Sequence, residues 1–259
     1  MRRLVLLTAV AALAIAGVAY AVTDTVSYST KLSHKGKPSS KKPANLSYTG
    51  ILHIDTNPAG SQPETAPSTT VYYSKAIKNN GKVFPFCSIA EIDGQPSIPS
   101  KCKKAIVGSG TASALAGSPG QASSQSIHSN LTVTAMNGTG GKFLMLILNA
   151  PPGGVQIQNR VVPGFIGKAS GQYGSLTRFE VPKDLQEPVP GIKVALTDFN
   201  VKIPGTSHTV KVKGKTKKLS YLQVTSCKSG LPSKAVANFV DAGTGQKKTV
   251  TSPQTSSKC

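Results

Sequence analysis

Through most of the chain, polar and apolar residues alternate with a period of two. In residues 25–33, Val26, Tyr28, Thr30 and Leu32 fall on one face and Ser27, Ser29 and Lys31 on the other, which predicts a strand with one wet side. Residues 46–55 repeat the pattern with Leu46, Tyr48, Leu52 and Ile54 inward. Between them, residues 34–45 (HKGKPSSKKPAN) form a basic loop, which predicts an N-terminal hairpin, although its composition also fits a linker. Residues 69–75 read as a short strand, residues 87–93 as one or two helical turns, and residues 105–115 as a small-residue strand. In that strand Gly108 and Gly110 mark a bulge or a close approach of backbones.

The strongest hairpin signal is at residues 130–149, where NLTVTAM and KFLMLILN flank Asn137-Gly138-Thr139-Gly140-Gly141. The second arm is apolar on both faces, which predicts a central strand covered on both sides. Shorter strands follow at residues 154–160, 165–170 and 176–181, turn material at 183–191, and a long strand at 192–203. Residues 208–218 and 219–226 read as the two arms of a lysine-rich hairpin, and residues 235–241 and 247–251 close the chain across Gly243-Thr244-Gly245. About ten to twelve strands at this spacing, with no helix of three turns, predict an all-β antiparallel sandwich.

The first residues change the picture of compartment. Met1-Arg2-Arg3 precedes an uncharged run from Leu4, and Ala19-Tyr20-Ala21 stands before Val22. A basic start, an apolar stretch and small residues at alternate positions predict a Sec-type signal peptide over residues 1–21, with an uncleaved anchor as the alternative. Residues 22–259 then form one β-sandwich domain, secreted or held in the cell envelope. The four cysteines, Cys87, Cys102, Cys227 and Cys259, read as disulfides in that compartment. Four cysteines allow three connectivities, and Cys87–Cys102 with Cys227–Cys259 closes the shortest loops. A zinc or nucleophilic role lacks support, because no C-x-x-C occurs and no His lies near any of the four.

Charge narrows the function further. The chain carries +20, with only 10 acidic residues and no Trp. After residue 21 the only arginines are Arg160 and Arg178, so the basic surface is built from lysine. Sequence-reading nucleic-acid proteins lean on arginine for bidentate contacts, which argues against sequence-specific nucleic acid. Lysine supplies diffuse attraction to polyanions. Two clusters stand out: Lys35, Lys37, Lys41 and Lys42 in the first loop, and Lys211, Lys213, Lys215, Lys217 and Lys218 in the late hairpin. If they fall on one side, they form a patch for an anionic cell-wall polymer or a membrane surface.

Phe84-Pro85-Phe86-Cys87, Cys102, Val107-Gly108-Ser109-Gly110-Thr111, Val189-Pro190-Gly191, Leu196-Thr197-Asp198-Phe199 and Cys227 together resemble a group of exported proteins of high-GC Gram-positive bacteria. The resemblance implies an exported β domain. That group has no established activity, so no site residue carries over.

Candidate chemistry is sparse. His53 and Asp55 share a strand face, but no nucleophile elbow accompanies them. Val224-Thr225-Ser226-Cys227 is similar to the strand-end cysteine of sortases, with His208 available as a base but no arginine after Arg178. His34, His53, His128 and His208 are dispersed, and no pair of carboxylates is privileged for glycoside hydrolysis. The sequence therefore favours a non-enzymatic binding protein without metal or cofactor. A secreted hydrolase or transferase with an unrecognised site is the alternative, and a carrier of an apolar ligand in a sandwich cavity is the third reading.

Overall fold

The computed structural model describes residues 23–151, 157–228 and 230–258. The signal-peptide segment and Cys259 lie outside the described residues, as do residues 154–156 of the strand expected at 154–160. The chain forms sixteen strands: β1 (Thr23–His34), β2 (Ala44–Asn57), β3 (Thr65–Ser74), β4 (Ile77–Asn79), β5 (Ile106–Gly117), β6 (Ile127–Asn137), β7 (Phe143–Asn149), β8 (Arg160–Lys168), β9 (Tyr173–Glu180), β10 (Lys193–Ile203), β11 (His208–Val212), β12 (Lys215–Leu219), β13 (Leu222–Val224), β14 (Leu231–Val240), β15 (Lys247–Thr251) and β16 (Thr255–Ser257). Among the described residues one α-helical turn, α1 (Lys183–Gln186), and five 3-10 turns interrupt them. Every ladder between these strands is antiparallel, and fourteen strands belong to one sheet in the order β15-β14-β3-β9-β8-β7-β6-β5-β10-β2-β13-β4, with β1 on β2 and β16 on β14. The β11–β12 ribbon stands apart.

This sheet folds over on itself in a sandwich-like arrangement. β3 lies against β10, and β1 meets β14, β15 and β16 at the other margin. Side chains make part of the closure: Thr30 Oγ1 lies 2.6 Å from Ser257 Oγ, which also donates to the Thr30 carbonyl at 2.6 Å. The alternation expected of the first hairpin is present, with Val26, Tyr28, Leu46, Tyr48, Leu52 and Ile54 all buried.

β7 is buried on both faces, as its composition predicts. Leu144 and Leu146 join the inner core with Val133, Val162 and Val201. Met145 and Ile147 point outward into a separate cluster with Met136, Val161, Ile92 and the two cysteines Cys87 and Cys102. The cover on that outer face is the segment 81–105, which carries three 3-10 turns, one of them, Ile89–Glu91, within the helical stretch expected at 87–93. Cys87 and Cys102 are joined with Cα atoms 5.4 Å apart and a sequence separation of 15. Closing a loop of that length stabilises the fold by about 3 kcal/mol.

Asn137 ties the cover to the sheet. It is fully buried, donates from Nδ2 to the carbonyls of Gly81 and Pro85 at 3.0 Å each, and accepts from Tyr221 Oη at 3.2 Å. Its own carbonyl receives the Cys87 amide. At the other end, Asp93 Oδ1 accepts from Arg160 Nε at 3.0 Å and from the Val161 amide at 2.9 Å.

Three expectations need correction. The strand expected at 165–170 starts earlier and ends earlier: β8 begins at Arg160, runs through Pro163-Gly164 and ends at Lys168. Gly164 is required there because a Cβ would lie 2.4 Å from the Phe179 ring. The return arm of the lysine hairpin is β12, beginning at Lys215, and Lys213 sits in the turn itself with φ 50°. The strand count is sixteen, above the ten to twelve expected, because β4, β13 and β16 are only three residues each.

Replacing Asn137 with Ala leaves two carbonyls and the Tyr221 hydroxyl without their partner. Urea unfolding is expected to show a loss of about 2–3 kcal/mol, whereas Asn130→Ala, on the exposed part of the same strand, changes stability by under about 0.5 kcal/mol.

Candidate functional site: a lysine-lined cleft

The two lysine clusters meet. Lys35, Lys41 and Lys42 from the β1–β2 loop and Lys217 and Lys218 from β12 line one open cleft of about 900 Å³. Lys78 on β4 and Lys82 in the following turn add to it. Among the described residues no carboxylate lines this cleft. Its other walls are amides from Asn45, Asn79, Asn80 and Gln223 and apolar patches from Val83, Ile166, Val212 and Leu219.

The local fold explains the convergence. β13 pairs with β2 through Gln223↔Asn45 and with β4 through Gln223↔Lys78, so the start of β2 and the β4 lysine sit on either side of β13 at the same level. A small amide network fixes the junction: Asn80 Nδ2 donates to the Ser220 carbonyl at 2.9 Å and to Gln223 Oε1 at 3.0 Å. The β11–β12 ribbon is held by Val210, which is buried, and by His208, whose ring meets Phe84 edge-on at 5.4 Å.

The remaining lysines from the sequence reading are placed differently. Lys37, Lys213 and Lys215 are exposed and do not line the cleft. Lys211 lines a neighbouring shallow concavity of about 490 Å³ with Lys82, Pro85 and Phe86. Phe86 there is 54% exposed. The spacing of the two clusters made them visible in sequence; Lys78 and Lys82 had no such signal, because only the β4–β13–β2 pairing brings them in.

The catalytic alternatives resolve into structural roles. His53 does not pair with Asp55; its Nδ1 lies 2.8 Å from Asp198 Oδ1 across the β2–β10 ladder, and both side chains are about half exposed. Asp55 Oδ1 accepts the Thr56 amide. Cys227 is disulfide-bonded, and the imidazole near it belongs to His34, whose Nε2 lies 3.3 Å from its sulfur, rather than to His208. Glu91 stands beside Cys87 and Cys102 in a metal-like grouping, but the two sulfurs are bonded to each other. Glu91 instead accepts from the Ser88 amide and hydroxyl at 2.9 and 2.7 Å and pairs with Lys101. Lys101 and then Ser88 hold its carboxyl down at about 2.

Two other carboxyls are shifted upward. Asp24 is buried, with Oδ1 accepting the Glu64 amide at 3.1 Å and Oδ2 unpaired within the protein. Burial raises both Asp24 and Glu64, and Lys248 opposes the shift only in part. Neither residue lines the cleft. Because the folded state holds these protons more tightly than the unfolded chain, stability from this pair is present at low pH and is lost as pH rises through the raised values. Asp24→Asn is therefore expected to raise the thermal midpoint at about pH 7 and to leave it unchanged at about pH 3, measured by calorimetry.

The lysine-lined cleft is thus a basic concavity set apart from the shifted carboxyls and from the His53–Asp198 pair. Comparison with family models, with curated proteins and with solved structures gave no match.

Proposed function

We propose that the protein is a non-enzymatic, extracytoplasmic binding module that holds an anionic envelope polymer in the lysine-lined cleft. The observation that carries this reading is the convergence of seven lysines from three separate segments on one concavity free of carboxylates. Folding gathers like charges there at an electrostatic cost, and a multivalent anion removes that cost while releasing its counterions. A concave site with charges along its walls suits a strand-like polymer of repeated phosphates or carboxylates. The amides of Asn45, Asn79, Asn80 and Gln223 supply neutral partners for sugar or glycerol hydroxyls between the charges.

Export supports this reading. The Cys87–Cys102 disulfide suits an oxidising compartment, and among the described residues no helix is long and apolar enough to cross a membrane. The pattern of residues 1–21 is that of a Sec-type signal peptide. A second reading, docking on anionic lipid, is favoured by one feature: Phe86 stands exposed beside Lys82 and Lys211, an aromatic next to cations of the kind that anchors at membrane interfaces.

The test is co-sedimentation of the purified protein with a poly(glycerol phosphate) polymer and, separately, with anionic vesicles, at low and high salt. Polymer binding is expected at low salt and should fade as salt rises. The variant Lys42→Ala/Lys78→Ala/Lys217→Ala/Lys218→Ala should weaken it at least about tenfold and flatten its salt dependence. Binding to vesicles alone, lost in Phe86→Ser, would replace the polymer with a lipid surface. No binding to either at low salt would reject the cleft as the working surface.

A further inference from the structure

Between the two facing halves of the sheet lies an internal cavity of about 170 Å³. It is distinct from the lysine cleft in both lining and chemistry. Leu131, Leu144, Leu146 and Leu148 form one wall and Leu196, Phe199 and Val201 the other. Ala112 and Ala114, whose inward side chains are too small to reach across, leave the space between them. Among the described residues lining it, none is charged; its polar groups are the phenols of Tyr28, Tyr48 and Tyr73 and the hydroxyls of Thr65 and Thr69.

Three properties define an occupant. The first is size: an apolar cavity of about 150 Å³ already takes up benzene, so this one has room for a small hydrocarbon. The second is shape. Along β10 the lining runs from Val194 to Ile203, about 30 Å of strand at roughly 3.3 Å per residue, so a modest volume is drawn out over a long wall. A slender chain fits such a space and a compact ring system does not. The third is polarity. The Tyr28 and Tyr48 hydroxyls bond to each other, and burial raises all three phenols, Tyr73 to about 12, which keeps them neutral. The hydroxyl of Thr65, the first residue of β3 and one of the lining residues, is buried and has no partner among the described residues. A buried charge would have no counter-charge here, whereas one neutral oxygen beside Thr65 would meet a hydroxyl able to donate to it.

We propose that this cavity binds a single unbranched alkyl or acyl chain bearing an uncharged oxygen at one end, beside Thr65. The ligand class is a neutral single-chain lipid, and the chain contributes the dispersion contacts that Ala112 and Ala114 do not make.

The test uses the full-length mature protein, stripped of lipid, and a series of 1-alkanols from hexanol to hexadecanol, read by titration calorimetry and by thermal shift. Binding at one site per chain is expected, tightening about fourfold for each added methylene until the cavity is filled and then levelling off. Ala114→Phe should abolish saturable binding while keeping the near-ultraviolet dichroism of the folded protein. If that variant does not fold, Ala112→Leu, a smaller filling change, should weaken binding at least about tenfold. Thr65→Val should weaken alkanols several-fold and leave n-alkanes of equal length unchanged. Absence of saturable binding at every chain length would overturn the proposal, as would equal affinity for adamantanol or an unweakened folded Ala114→Phe protein. The four-lysine variant should bind alkanols like the wild type, so this result is independent of the polymer assay.

Discussion

A strand that is apolar on both faces must be covered twice, and β7 imposes that requirement on everything around it. Leu144 and Leu146 face one way, Met145 and Ile147 the other, and all four are buried. Leaving one pair in water would forfeit about 1.5–3 kcal/mol per side chain. The inner pair is covered because the sheet folds over until β3 and β10 lie face to face. The outer pair is covered by the 81–105 segment, which has almost no regular structure of its own and is held by the Cys87–Cys102 bond, Asn137 and Asp93. The disulfide is therefore less a general staple than the fastening of one lid over one hydrophobic face.

Folding the sheet over also needs places where strands approach unusually closely. Gly108 and Gly110 on β5 supply one: a Cβ at Gly110 would lie 1.9 Å from the Asn200 carbonyl, and one at Gly108 would lie 2.4 Å from that of Lys202. Gly50 supplies another, since a side chain there would press on the Tyr28 hydroxyl at 2.9 Å and break up the Tyr28–Tyr48 pair. The same reliance on small residues that lets the sheet curl leaves its interior incompletely filled. The cavity is thus a consequence of how the fold closes, not a feature added to it.

This division between local and distant causes decides how much was legible in the sequence. Period-two alternation located β1 and β2, and Asn137-Gly138-Thr139-Gly140-Gly141 located the β6–β7 hairpin, because each signal lies within one strand or one turn. The glycine pair in β5 was legible as a close approach, though not its partner on β10. The strand expected at 165–170 begins at Arg160 in the structure and passes through Pro163-Gly164, where Phe179 of the neighbouring strand needs the glycine. For His53 the sequence offered only Asp55 on the same strand face, whereas its partner, Asp198, comes from 145 residues further along the chain. For the same reason the lysine clusters were visible but their meeting was not: it depends on β13 bridging β2 and β4, two short pairings that no local pattern announces.

The two sites have opposite physical dependences, and that bears on how they would work together. Attraction in the cleft is long-ranged, falls with ionic strength and asks little of the ligand's shape. The cavity acts only at contact, is insensitive to salt and discriminates by length and width. His53 and Asp198 are on the solvent face of β2 and β10, Cys227 is disulfide-bonded, and Asp24 and Glu64 line neither space. On the reading proposed above, charge captures and shape retains, and the two selections act on different parts of a ligand, so each can be weakened by substitution without touching the other.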